Sequence, residues 1–276
     1  MFNGKLVCVT GLPRAGSTLT CQLLAEHPEI YCDGMSSPLL PTLQAIRAHL
    51  SDNNFFLAQL DGEFETVYAR LQCACRAFAK AWWSEIDSQM VVDKHRGWLN
   101  QVELALELDP DVKMVVCVRE LGQILASIET QHQKTVWLDF PDDLASLSPY
   151  GRADALLGKK GVVGGPLRSL QGIQDMNQSC QQRMYFLVFE HLMSEPVATM
   201  KDLFTWLGVG NYELDPNNLV VQPGEADSFY RFKYLHRTYT QVKAPERHWV
   251  SPRIEAELRS NYRWYYELFY PGLLQS

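Results

Sequence analysis

The chain has 276 residues, 25 Lys and Arg against 32 Asp and Glu, a formal net charge of −7, and 46% hydrophobic residues. That balance belongs to a globular protein with a sizeable core and excludes a disordered or fibrous chain. The acidic total argues against a general nucleic-acid binder, whose phosphate contacts need a basic surface, so any anionic ligand must be held by local charge. One domain over residues 1–276 is expected, with neither a secretory leader nor a membrane anchor, because no apolar run approaches the length of a span. The seven Cys lie mostly in apolar runs and read as small buried hydrophobes in a reducing, cytoplasmic setting. Cys73-Ala74-Cys75 is too tight for a zinc pair, and no metal site is expected.

In chain order, Lys5 to Thr10 is a β-branched apolar run bounded by Gly11 and Pro13, which predicts a buried strand entering a tight loop. Leu19, Leu23 and Leu24 then recur at helical spacing until His27-Pro28 stops the helix. A short strand is expected around Glu29 to Cys32, and a long helical region from about Leu39 to Trp83 covers one face of the sheet. Met90 to Asp93, Lys113 to Val118 and Tyr185 to Phe189 read as further strands. Strands separated by helices imply right-handed crossovers and a parallel sheet, with ligand sites at the carboxyl ends. Prolines and glycines crowd residues 131–183, predicting loops and short helices in a lid or acceptor-binding insertion. Ile254, Leu258, Tyr262, Tyr265 and Phe269 predict one amphipathic helix from Pro252 to Phe269, its aromatic stripe belonging to the core.

Gly11-Leu12-Pro13-Arg14-Ala15-Gly16-Ser17-Thr18 follows a predicted strand and opens a predicted helix, where backbone N–H groups and the helix dipole can cradle an anion. Against the nucleotide-hydrolase pattern G-x-x-x-x-G-K-[ST], both glycines fit but Ser17 occupies the lysine position. A triphosphate loses its side-chain clamp there, while Arg14 offers a planar cation to a smaller anion. The loop resembles the 5′-phosphosulfate loop of sulfotransferases, P-[KR]-[SA]-G-[ST]-[ST], its Arg being closer to the bacterial and tyrosylprotein branches than to the cytosolic small-molecule branch. The resemblance implies an α/β three-layer sandwich with a central parallel sheet, of the P-loop nucleoside-triphosphate-hydrolase-like type. It also implies 3′-phosphoadenosine 5′-phosphosulfate (PAPS) as co-substrate and PAP as product, with Pro13, Arg14, Ala15, Gly16, Ser17 and Thr18 around the phosphosulfate.

Arg119 closes the strand Met114 to Val118, and Ser127 lies about two turns into the following helix, so both could converge on one phosphate. The pair resembles the family's 3′-phosphate motif, which gives that role to Arg119 and Ser127. Gln131 stands where tyrosylprotein-type members often carry a further Arg. Tyr185 to Gly208 resembles a structural strand and helix of the family, in which Glu190 caps or pairs locally.

Sulfonate transfer needs an aligned acceptor, positive charge on the departing 5′-phosphate and a base for the acceptor's proton. Arg14 and Lys94 are candidates for the charge, Lys94 by resemblance to the family's strand-end lysine, although Asp93 and Lys94 could instead form a surface pair. The family's "GE" glutamate is absent, since Met35 follows Gly34. His95, with an ordinary pKa near ~6.5, and Asp33 are the candidate bases. Neighbouring strand residues face opposite ways, so Lys94 and His95 share the cleft only if the strand has ended. A small molecule, glycan, lipid or peptide could be the acceptor, with Trp137, Tyr150, Phe229, Tyr230, Tyr234 and Trp249 as candidate lining. A degenerate P-loop kinase and a non-catalytic nucleotide- or partner-binding protein are the rival functions.

Overall fold

The computed structural model describes residues 4–135, 142–222, 225–226, 235–236 and 238–274. Five parallel strands form the sheet: β1 (Lys5–Gly11), β2 (Ile30–Tyr31), β3 (Met90–Lys94), β4 (Lys113–Val118) and β5 (Met184–Val188), in the order β2-β3-β1-β4-β5. In β1, β3 and β4 every residue is buried except Lys5 and Lys113. Strands buried on alternate sides throughout need helices on both faces of the sheet, which gives the three-layer α/β sandwich. From β1 the chain steps outward to β2, returns through β3, then crosses to β4 on the far side of β1. The crevice created by that reversal opens at the carboxyl ends of β1, β3 and β4.

Helix α1 (Ser17–Ala25) follows β1 directly. The long helical region expected from Leu39 to Trp83 is divided into α2 (Leu39–Ser51) and α3 (Asn54–Trp82), and α3 is itself kinked where Glu63 leaves helical geometry at φ −143°. Asn53 divides them because its side chain accepts from Phe56 N–H at 3.0 Å, restarting the helix as an N-cap. Helix α3 packs on α2 and on α4 (Val102–Leu108), with Val67, Cys75 and Ala79 as its fully buried residues. Strand β4 leads into α5 (Leu121–Thr135). Short helices α6 (Asp142–Ala145), α7 (Pro149–Leu157), α8 (Gly164–Ile173) and α9 (Gln178–Gln181) follow in the proline- and glycine-rich stretch. Beyond β5 come α10 (Phe189–Ser194), α11 (Pro196–Leu207) and a two-residue antiparallel pairing of Glu225–Ala226 with Leu235–His236. The expected single terminal helix is α12 (Pro252–Asn261) and α13 (Arg263–Phe269), broken where Tyr262 leaves helical geometry at φ −119°. The break re-aims α13 so that Tyr265 and Tyr266 are fully buried against the end of β4.

Gly11 closes β1 at φ 131°, and a Cβ built there would stand 2.1 Å from the Cys117 carbonyl oxygen of β4. Backbone cannot yield like a flexible side chain. Gly11→Ala is expected to destabilise the protein by at least about 3 kcal/mol, from the forbidden φ and the overlap together. In a chain of this size that lowers the melting temperature by roughly 6–12 °C, which calorimetry measures. A melting temperature within a degree of the parent would refute the close approach.

Candidate functional site

The loop after β1 is held in shape by its own backbone. Leu12 N–H donates to the Cys117 carbonyl at 3.0 Å, Arg14 adopts the left-handed region at φ 59°, and Gly16 follows at φ 86°. A side chain at Gly16 would strike the Phe189 ring at 2.6 Å. Gly16 caps α1 without any side-chain bond, which leaves N–H groups of the first turn to meet an anion along the helix dipole. The side chains of Pro13 and Ala15 are buried beneath the loop, so these two shape it through their backbone.

The two anion motifs, far apart in sequence, meet here. Arg14 Nε donates to Ser127 Oγ at 3.2 Å, and Arg119 Nη1 donates to the Arg14 carbonyl at 3.0 Å. Arg119 is only 6% exposed, and its guanidinium lies 4.5 Å from the Phe189 ring centroid, a cation–π contact. Burial pushes its pKa down, and Glu190 opposes this. Its Nε is buried with no hydrogen-bond partner among the described residues, a deficit that a phosphate oxygen would relieve. Arg14, Gly16, Ser17, Thr18, Arg119 and Ser127 all line one cavity of about 450 Å³.

The strand end carrying Arg119 is buttressed by the last helix. Tyr265 Oη donates to the Arg119 carbonyl at 2.8 Å, Tyr266 Oη to Glu120 at 2.6 Å and Tyr270 Oη to Glu190 at 2.7 Å. Glu190 also accepts from Glu120 N–H at 3.2 Å, a local pairing. Burial raises the pKa of each of these tyrosines, which stay neutral donors.

Strand β3 runs one residue further than expected, through Lys94, and this decides where its neighbours point. Lys94 is 5% exposed, and its Nζ donates to the Gly34 carbonyl at 2.6 Å and to Thr18 Oγ1 at 3.3 Å, so it meets the loop at its last residue. His95 caps the short 3₁₀ helix Arg96–Asn100, its Nδ1 accepting from Gly97 N–H at 3.0 Å. A neutral ring accepting at Nδ1 carries its proton on Nε2, and burial, then Arg96, lower its pKa. Asp33 is exposed, with Oδ1 accepting from Met35 N–H at 2.9 Å. Neither His95 nor Asp33 lines the 450 Å³ cavity. The surface pair of Asp93 and Lys94 does not form: both are buried, and Asp93 accepts instead from Trp98 Nε1 at 2.7 Å. Burial raises the Asp93 pKa, while bonds from Ser37 and Trp98 lower it in part.

A family model described as the sulfotransferase family matches residues 7–213. The chain belongs to the sulfotransferase family. No curated protein matches the sequence. Among solved structures, the sulfotransferase domain from the curacin biosynthetic pathway is similar at 18% identity and TM-score 0.48, covering 76% of each chain. The sulfotransferase domain of the Synechococcus PCC 7002 olefin synthase is similar at 19% identity and TM-score 0.47, over 76% of this chain and 75% of that one. A sulfotransferase from Alicyclobacillus acidocaldarius stands at 15% identity and TM-score 0.47, over 78% and 85%.

Several parts of the sulfotransferase cavity escaped the sequence reading. Phe189, expected at the end of a strand, opens α10 and presents its ring to both Gly16 and Arg119. Its place just past a strand's carboxyl end was the available signal. Lys243 and His248 line the cavity from the segment Thr238–His248, which no motif marks. That segment is pinned by Gln22 Nε2 to the Tyr239 carbonyl at 2.8 Å and by two reciprocal bonds between Gln123 and His248. In the insertion, Arg152 ties α7 to Glu129 of α5, and α8 packs on the 3₁₀ helix. Tyr150 and Trp249 line a separate cleft of about 430 Å³ beside α5. Trp137, Phe229, Tyr230 and Tyr234 lie outside the described residues. Among the described residues no His, Cys, Asp and Glu group could hold a metal ion, and no helix is long and apolar enough to cross a membrane.

Proposed function

We propose that this sulfotransferase binds PAPS between the loop after β1 and Arg119 and transfers its sulfonate to a hydroxyl or amine of a small-molecule, glycan, lipid or peptide acceptor, with PAP released. One observation carries the reading: Arg14 and Arg119, each in its own anion motif, are joined through Ser127 and the Arg14 carbonyl around a single cavity. The residues present suit the group. Ser17, Thr18 and the N–H groups of Ala15 to Thr18, with Arg14, would hold the 5′-phosphosulfate, while Arg119 and Ser127 would hold the 3′-phosphate. Lys243, on the cavity wall, would add the third cation that Gln131 does not provide. Bound PAPS supplies an activated sulfonate and needs no metal in principle.

The protein's part is charge, alignment and proton removal. Lys94, in contact with Thr18, holds positive charge where the 5′-phosphate departs. Asp33 or His95 would take the acceptor's proton: Asp33 sits beside Gly34, whose carbonyl receives Lys94, and His95 follows Lys94 directly. The cysteines are free and mostly buried, which supports a reducing, cytoplasmic setting.

Millimolar PAP is expected to raise the melting temperature by several degrees, as a ligand of the folded state alone must. Absence of a shift overturns the reading, and stabilisation by ATP with Mg²⁺ in its place would favour a kinase. PAP binding without turnover of PAPS across acceptor libraries would mean a non-catalytic binder.

A further inference from the structure

The strands of a parallel sheet all begin at one edge, so the cavity at their carboxyl ends leaves the other edge free. At that edge the start of β1, the last turns of α3 and the turn between α4 and β4 enclose a second cleft of about 460 Å³. The seven residues of β1 separate the two sites by roughly 20 Å at about 3.3 Å per residue.

Lys5, Arg76 and Lys80 line this cleft, a local excess of cations in a chain of net charge −7. Two acids, Asp109 and Asp111, stand in the same cleft, so its three cations exceed its acids by one. Asp109 spends both oxygens on backbone, Oδ2 accepting from Leu6 N–H at 2.9 Å and Oδ1 from Asp111 N–H at 2.9 Å. Asp111 has a 78% exposed side chain 3.9 Å from Arg183. Lys5 and Lys80 make no side-chain hydrogen bond or ion pair among the described residues, and Arg76 gives only its Nε, to the Glu107 carbonyl.

Arg76, Lys80 and Trp83 succeed one another at helical spacing and share a face of α3. Like charges four residues apart cost a helix a few tenths of a kcal/mol. The helix dipole offsets this for Lys80 in the last turn but not for Arg76 a turn earlier. Behind the cations lies an apolar wall of Leu6, Leu108 and Trp83, each less than 9% exposed. The Trp83 indole Nε1–H is buried and meets no acceptor among the described residues, a condition that costs about 1–3 kcal/mol. The cleft thus sets three cations against two acids beside an indole ring, an excess of positive charge that an anion from outside would answer. An inorganic ion would fill little of the space, which is in the range of small-molecule sites.

We propose that this cleft binds a small organic anion, a phosphate or sulfate monoester whose oxygens meet Lys5, Arg76 and Lys80 and whose body lies against Trp83. The proposal is independent of the function assigned to the other end of the sheet. Calorimetric titration of the full chain with phenyl phosphate and with phenyl sulfate, at low ionic strength, tests it. One saturable site is expected for at least one ester, weakened at least tenfold in the double variant Arg76→Gln, Lys80→Gln and retained in Arg119→Ala. The tighter ester names the headgroup. Both substituted side chains are exposed, so the double variant should fold, and circular dichroism checks this. Absence of saturable binding overturns the proposal, as does binding lost in Arg119→Ala and kept in the double variant. Inorganic phosphate binding as tightly as phenyl phosphate would remove the role of the apolar wall and overturn the organic part.

Discussion

Arg119→Met is expected to weaken PAP binding at least about 30-fold while leaving the ligand-free protein as stable as before, or slightly more so. The two effects have opposite signs because burial of the guanidinium costs the free protein and would serve the proposed ligand. It is 6% exposed, lies against Phe189 and keeps its Nε without a partner among the described residues. In the free protein that is a desolvated cation, and an apolar residue of similar volume often replaces such a group at no cost or with a gain. Set against this is the bond to the Arg14 carbonyl, worth about 1 kcal/mol. With PAP bound, losing a buried cation opposite a phosphate costs about 2–5 kcal/mol, or roughly 30-fold to several thousand-fold in Kd. Thermal melts with and without PAP measure both quantities in one experiment. A retained PAP shift would remove Arg119 from the site. A melting temperature several degrees lower in the free variant would make it a structural residue instead.

Lys94→Gln should cost turnover far more than affinity. Glutamine, one bond shorter, can still donate toward the Gly34 carbonyl or Thr18 Oγ1, two of the groups that Lys94 meets, at 2.6 and 3.3 Å, so the loop around Asp33 keeps an anchor while the charge is gone. If that charge serves the departing phosphate, kcat falls about 10²–10³-fold, the usual effect of removing one preorganised stabilising group. The KM for PAPS should change only a few-fold. Steady-state kinetics separates the two. A rise confined to KM would make Lys94 a ground-state ligand and leave the leaving-group charge to Arg14 alone.

These two residues show what could be read from the sequence and what could not. The strands that lead to Arg119 and Lys94 are legible because β3 and β4, like β1 between them, are buried on both sides and therefore carry largely apolar runs rich in Val. Their carboxyl ends mark the cavity. The direction of His95 was not legible, since it depends on whether the strand ends at Asp93 or Lys94, and one residue reverses the side chain. Nor were the helix breaks, which turn on an Asx cap at Asn53 and a single non-helical residue at Tyr262. Lys243 and Phe189 join Arg119 only through tertiary packing, and nothing in their local sequence announces it. The orphaned Arg119 Nε and the bridge from Arg14 to Ser127 belong to three dimensions alone.

The tyrosine buttress has a consequence for how the protein is made. Tyr265 grips the Arg119 carbonyl across 146 residues of chain, so this support of the strand end that carries Arg119 is missing until the final helix has been synthesised. At about 5–20 residues per second the ribosome takes roughly 7–30 s to cover that interval. Throughout it the nascent chain carries the loop after β1 and Arg119 without the tyrosines that brace the strand end. The nucleotide binding proposed above would therefore stabilise the finished protein and not the early stages of its folding.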